Sequence, residues 1–205
     1  RDCLLSRGLG DVYKRQDYYK PTDADYEANC EEARALLAEA GYENGEGFPV
    51  VEYLYNTSDA HKAVAEALQY MWEEELGVKV TLNNQEWAAF LQTRKDGDYS
   101  IARNGWIADY NDPISFLDMW MTGGGNNDAQ YANDDYDALI KQAKTTTDNA
   151  ERMDLLHQAE DKLIGEDNVL APLYFYTQKY MLADGIEGMY YCPLGYFFFG
   201  YTHQA

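Results

Sequence analysis

The chain has 205 residues, 16 basic against 36 acidic, for a formal net charge of −20, with 46% hydrophobic and 25% charged residues. That is an ordinary globular composition, long enough to bury a substantial core in one or two domains. The acidic excess excludes nucleic-acid roles that need clustered Lys and Arg to neutralise phosphate, and no apolar run approaches the ~20 residues that cross a bilayer.

Residues 1–16 (RDCLLSRGLGDVYKRQ) stand apart from the rest of the chain. They carry four of the 16 basic residues and two of the acids. No helical or strand period runs through them, and no apolar stretch of roughly 7–15 residues marks a signal peptide. They are read as a non-native scar, of the kind an adapter leaves, or as a disordered end. On that reading the native chain continued upstream, so the lack of a leader says nothing of compartment. The three cysteines, Cys3, Cys30 and Cys192, include no C-x-x-C pair, so zinc and thioredoxin-type sites have no support.

Residues 17–22 read as an extended lead-in. Tyr26, Cys30, Ala33, Leu37 and Ala40 recur at helical spacing and predict a helix over 24–40, capped by Asp23 or Asp25 and stopped at Gly41. A loop at Gly45, Gly47 and Pro49 leads to a strand over 50–56 (VVEYLYN). Ala60, Ala63, Val64, Ala67, Leu68, Met71 and Trp72 give the clearest helix, over 59–76, ended by Gly77. A second strand is expected over 78–82. Strand, helix, strand in about thirty residues is a βαβ unit with a right-handed crossover.

A short helix over 87–95, a turn at 96–98 and a third strand over 99–106 come next. Residues 109–113 form a polar loop, 114–121 a helix and 123–127 (GGGNN) a flexible loop. Helices are expected at 134–146 and 150–165, the second opened by Asp148 and Glu151 in a capping-box arrangement. Residues 170–176 and 179–183 read as strands, and the aromatic stretch 189–201 as a turn and a terminal strand. The alternation assigns the chain to the α/β class, in which ligands gather at the carboxyl ends of strands.

Much familiar chemistry has no foothold. There is no G-x-S-x-G, H-E-x-x-H, Walker A or G-x-G-x-x-G sequence. His61, His157 and His203 are read as surface residues, so no general base is paired with a nucleophile. The acidic loops Asp109-Asn111-Asp112 and Asn126-Asn127-Asp128 lack the calcium-loop pattern. Paired carboxylates for glycoside hydrolysis can be drawn from 36 acids in too many ways to be informative. Aromatic residues reach 15%, with 19 Tyr, which suits either a β-rich core or a ring-lined ligand surface.

The informative segment is Ala102-Arg103-Asn104-Gly105-Trp106-Ile107-Ala108-Asp109-Tyr110-Asn111-Asp112-Pro113, followed by Ile114-Ser115-Phe116-Leu117. It resembles the signature of the extracytoplasmic solute-binding proteins of family 5, the peptide-binding subunits of ABC importers. Pro21-Thr22-Asp23, the ARALLAEAGY run at 33–42, residues 87–94, Ala171-Pro172-Leu173-Tyr174 and Gly195-Tyr196-Phe197 match in the same order. The resemblance covers residues 17–205 and corresponds to the C-terminal portion of a family member.

It implies a periplasmic-binding-protein-like (type II) lobe that is incomplete, its N-terminal lobe missing. Residues 17–183 would form the peptide-binding lobe and 184–205 the segment returning to the missing one. It implies a non-enzymatic subunit without cofactor or metal. Such a subunit captures oligopeptides outside the cytoplasm, delivers them to a permease, and meets the membrane only through a lost N-terminal anchor. Asp109 matches the aspartate that pairs with a peptide's α-ammonium, the alternative being a helix cap, for which Asp112 is better placed. Trp106 matches a pocket-lining aromatic, the alternative being core packing. Arg94 and Arg103 match basic positions near the ligand's carboxylate, the alternatives being a surface helix residue and a strand residue. Tyr110 and Asn111 shape the turn. Two other readings stay open: a carbohydrate-binding protein of the same clamp architecture, and an acidic glycosidase domain.

Overall fold

The computed structural model describes residues 23–205 except 178 and 193, and the side chains from residue 26 onward. The 1–16 segment, the 17–22 lead-in, Cys3 and the capping role of Asp23 or Asp25 lie outside the residues so described. The described residues fall into two compact units. The first holds residues through Gly105 together with Asn127–Gln130; the second holds Trp106–Asn126 and Tyr131–Ala205.

The first unit is an α/β assembly. Helix α1 (Asp23–Glu39) precedes β1 (Val51–Asn56), α2 (Asp59–Leu76), β2 (Val80–Gln85), α3 (Trp87–Asp96) and the two-residue strand β3 (Ile101–Ala102). The three strands are parallel in the order β2-β1-β3, with Val51 opposite Val80 and Tyr53 opposite Ile101. Side-chain alternation along β1 sends Tyr53 and Tyr55 to one face, where they pack with Ala65, Trp72, Val78 and Val80. Leu54 points to the other, and both it and Phe90 of α3 are fully buried. Gly77 ends α2 with φ +67°, and Gly45 approaches it so closely that a Cβ on Gly45 would sit 2.5 Å from the Gly77 carbonyl. Only glycine fits both positions.

The third strand is shorter than the expected 99–106. Only Ile101 and Ala102 pair with β1, and the Arg103 amide adds one bond to the Leu54 carbonyl at 2.8 Å. Beyond that point the chain leaves the sheet at Asn104 and Gly105. The Arg103 guanidinium lies over Gly105, where a Cβ would be 2.8 Å from Nη2.

The second unit is a helical core with an aromatic tail. Helix α4 (Ile114–Leu117) runs into a tight turn at Asp118–Trp120. Helices α5 (Asp134–Thr145) and α6 (Asn149–Glu160) pack on each other, and α6 widens into a π-helical turn at Asp161–Glu166. Asn133 caps α5 by accepting from the Asp135 and Tyr136 amides, and Asp148 caps α6 by accepting from Glu151. The core joins Ile114, Leu117, Trp120, Tyr136, Ile140, Leu156 and Leu163, with the Tyr136 hydroxyl donating to the Leu117 carbonyl at 2.6 Å.

His157 is 3% exposed, which corrects its reading as a surface residue. It lies on the face of α6 that carries Leu156 and Glu160, and a helix whose polar residues point inward defeats a surface assignment made on residue type.

The strands expected at 170–176 and 179–183 are not present among the described residues, and Leu173, Tyr174, Tyr176 and Met181 are exposed. Aromatic and β-branched composition favours a strand only where a neighbouring edge takes its hydrogen bonds. The tail forms two antiparallel ribbons instead: β4 (Ile186–Glu187) with β7 (His203–Gln204), and β5 (Tyr190–Cys192) with β6 (Tyr196–Phe198).

Glu160 is 6% exposed, and its carboxyl is pushed up to about 7 by burial, with Asp161 adding to the shift. A carboxyl raised in the folded state favours folding fully below its ordinary value and loses that contribution as pH rises toward 7. Glu160→Gln is therefore expected to leave stability unchanged at pH 4 and to raise it by about 3 kcal/mol at pH 8. Urea melts of both proteins across that range check this; parallel pH profiles would show that Glu160 keeps its solution behaviour.

Candidate functional site

At the carboxyl ends of the first unit's strands, polar side chains converge on the backbone of residues 103–104. Asn56, the last residue of β1, is 9% exposed, and its Oδ1 receives a long 3.4 Å contact from Arg103 Nη1. His61 Nδ1 lies 3.2 Å from the Asn56 carbonyl.

Arg94, in the last turn of α3, is committed within its own unit. Its Nε and Nη2 donate to Asp128 Oδ2 at 2.9 and 2.5 Å, and its Nη1 donates to the Arg103 carbonyl and to Asn104 Oδ1. The guanidinium stacks over the Phe90 ring at 5.0 Å. The two side chains of the ion pair are only 11% and 15% exposed. The Tyr99 hydroxyl donates to the Asp128 carbonyl, and burial, reinforced by the Asp128 charge, raises its pKa. Arg94 is thus not an exposed helix residue; it fastens α3 and residues 127–130 to the turn at 103–104. Asp128, 34 residues away, carries no local signal of this role.

In the second unit the segment 106–115 forms a pinned turn. Trp106 packs against the helical core, and its indole Nε1 is buried without a hydrogen-bond partner among the described residues. The Asp109 amide donates to Ser115 Oγ at 3.0 Å. Asp109 is exposed, and its carboxylate has no ion pair among the described residues. Tyr110 and Asn111 are also exposed, and the Tyr110 hydroxyl is raised by partial burial and by Asp118 and Asp112.

Asp112 holds the turn. Its Oδ1 accepts the Ile114 amide at 2.9 Å and Arg152 Nη2 at 2.8 Å. Burial pushes its carboxyl up, but the bonds from Arg152 and Ile114 outweigh that and leave it below the usual carboxylate range. Asp112, not Asp109, therefore caps α4, and the Asp109 carboxylate is left without a structural role in its own turn. Neither Ser115 nor Arg152 stands out in the sequence as a functional residue. Ser115 sits inside a recognisable turn, whereas Arg152 lies 40 residues from its partner on an unremarkable helix.

Chemically, an exposed carboxylate on a braced turn can accept hydrogen bonds from a cation. No cluster of metal-ligating side chains occurs among the described residues.

Comparison with known proteins places these observations. The model of the bacterial extracellular solute-binding proteins, family 5 Middle, matches residues 10–128. The oligopeptide-binding protein OppA of Bacillus subtilis is 38% identical over 176 residues, 85% of this chain and 32% of its own length. The structure of Haemophilus influenzae OppA in complex with RPPGFSPFR superposes with a TM-score of 0.63 at 38% identity, covering 66% of this chain and 27% of that one. The substrate-binding domain of an oligopeptide ABC transporter from Bacillus anthracis superposes with a TM-score of 0.74 at 28% identity, covering 96% and 37%. The chain spans about a third of the length of the relatives it matches.

Proposed function

This chain belongs to the bacterial extracellular solute-binding proteins, family 5, and on that premise we propose that it is part of an oligopeptide-capturing subunit of an ABC importer. The periplasmic-binding-protein-like α/β fold and the peptide-binding relatives support the reading. The observation that carries it is the Asp109 carboxylate. It is unpaired among the described residues and presented on a turn pinned by the Asp109–Ser115 and Ile114–Asp112 bonds and by the Asp112–Arg152 ion pair.

In this reading Asp109 receives the α-ammonium of a peptide through a charge-assisted hydrogen bond. Trp106 and Tyr110 flank the peptide backbone beyond that ammonium, and Asn111 completes the turn. Within the first unit, Arg103 is the candidate cation for a ligand carboxylate, with Arg94 supporting it through the 103–104 backbone. In this reading the subunit binds without turnover, in keeping with relatives that are named as binding proteins. Delivery then falls to a permease. No described helix is long and apolar enough to cross a membrane.

Water competes for an exposed carboxylate, so an ammonium gains no more than about tenfold in affinity from it. The 205-residue chain is therefore expected to bind peptides more weakly than the low micromolar range. Titrating the chain with a mixed tripeptide pool to millimolar concentration, followed by nuclear magnetic resonance, should show fast-exchange shifts concentrated on 106–112. Neutral oligosaccharides should leave those signals in place, and aryl glycosides should not be hydrolysed. Saturable shifts with a neutral glycan but not with peptide would transfer the site to carbohydrate, and release of an aryl alcohol would make it a glycosidase.

A further inference from the structure

A continuous polar chain runs from the helical hairpin of the second unit to the backbone of Asp109. Arg152, near the start of α6, donates Nε to the Ala143 carbonyl near the end of α5 at 3.2 Å. Its Nη2 reaches Asp112 Oδ1 at 2.8 Å, with the two side chains 20% and 29% exposed. The same Asp112 oxygen accepts the Ile114 amide, and the Asp112 carbonyl accepts the Ser115 amide at 3.1 Å. Ser115, 3% exposed, then accepts the Asp109 amide on its hydroxyl.

We propose that Arg152 is the positioning residue of this turn: by bridging Ala143 and Asp112 it fixes Ser115, and through Ser115 the backbone of Asp109. The proposal rests on the peptide-binding reading for its purpose, since it makes Arg152 the group that sets where the ammonium-accepting carboxylate stands. The geometry stands without that reading. A guanidinium suits the task because its rigid fork serves a carbonyl and a carboxylate at once. The Asp112 oxygen it holds is also the helix cap, so losing Arg152 loosens two bonds of the turn rather than one.

The test uses the isotope-labelled 205-residue chain. In Arg152→Gln the amides of Asp109 and Ile114 should exchange with solvent about tenfold faster than in the parent, while those of Ile140 and Leu156 in the hairpin keep their rates. The Asp112 carboxyl carbon should titrate at higher pH in the variant, a change that general loosening of the core does not produce. If Arg152→Gln fails to fold, Asp112→Asn decides the matter: it keeps an acceptor for Ile114, removes the ion pair, and should speed Asp109 exchange in the same way. Unchanged Asp109 exchange, or a change shared equally by Ile140 and Leu156, overturns the proposal.

A parallel arm separates it from the functional reading. A free-amine tripeptide should lose affinity for Arg152→Gln while its N-acetylated twin does not. Equal binding to parent and variant counts against Arg152 as a positioning residue and leaves the function standing. No binding to the parent removes the function, and the exchange rates alone then decide.

Discussion

Replacing Asp109 by alanine is expected to weaken binding of a free-amine peptide about tenfold and to leave its N-acetylated twin unaffected. The contrast matters more than the size. Acetylation removes the ammonium and keeps the rest of the ligand, so equal binding by the two peptides in the Ala variant isolates one interaction. The tenfold figure belongs to the exposed carboxylate of this chain. Where water is excluded around the pair, truncating one partner costs about 2–5 kcal/mol, and the loss rises to about thirtyfold or more. Asp112→Ala acts one step back, because that carboxylate is engaged by Ile114 and Arg152 rather than by ligand; like Arg152→Gln it should weaken the free-amine peptide by loosening the turn that carries Asp109. A matched loss of both peptides in Asp109→Ala would make Asp109 a structural residue and return amine recognition to some other acid.

Asp128→Ala is expected to destabilise the first unit by about 3 kcal/mol. The variant leaves the Arg94 guanidinium nearly buried with its two strongest bonds gone, and such an uncompensated charge is more damaging than the loss of a surface pair. Arg94→Met should be milder, since its thioether chain still packs on Phe90 and Asp128 can turn toward water. The double variant Arg94→Met, Asp128→Leu should recover much of the loss, because an apolar pair needs no compensation in that setting. Urea melts read from the hydrogen exchange of the Leu54 and Phe90 amides measure the effect within that unit. A loss below about 1 kcal/mol for Asp128→Ala would mean that Arg94 finds water or another partner at once, and the clasp at 103–104 would not depend on the pair.

How far the sequence can be read depends on the range of the interactions. Helices α2, α5 and α6 are legible because their signals act within a few residues of one another: an apolar 3.6-residue period stopped by Gly77 in α2, and the Asn133 and Asp148 caps that open α5 and α6. The Asp112 cap is legible for the same reason, standing directly before Pro113 at a helix start. The third strand falls short of its expected length because pairing depends on a neighbour, and β1 offers an edge only to Ile101, Ala102 and the Arg103 amide. The stretch at 170–183 has strand composition but no edge among the described residues to take its hydrogen bonds. Arg94–Asp128 and Arg152–Asp112 bridge 34 and 40 residues, and no periodicity links them. Asp109 itself is found through resemblance to a family signature. Its exposure is a property of the fold that no single-sequence pattern encodes.

The direct test tracks the Asp109 carboxyl carbon in the labelled chain while a tripeptide and its N-acetylated twin are added in turn. The free-amine peptide should shift that signal saturably, together with the Trp106 indole N–H, and the acetylated peptide should leave the Asp109 carbon where it was. Identical shifts from both peptides, or a free-amine peptide that binds without moving the Asp109 carbon, would place the ammonium elsewhere and take the proposed cargo from this site.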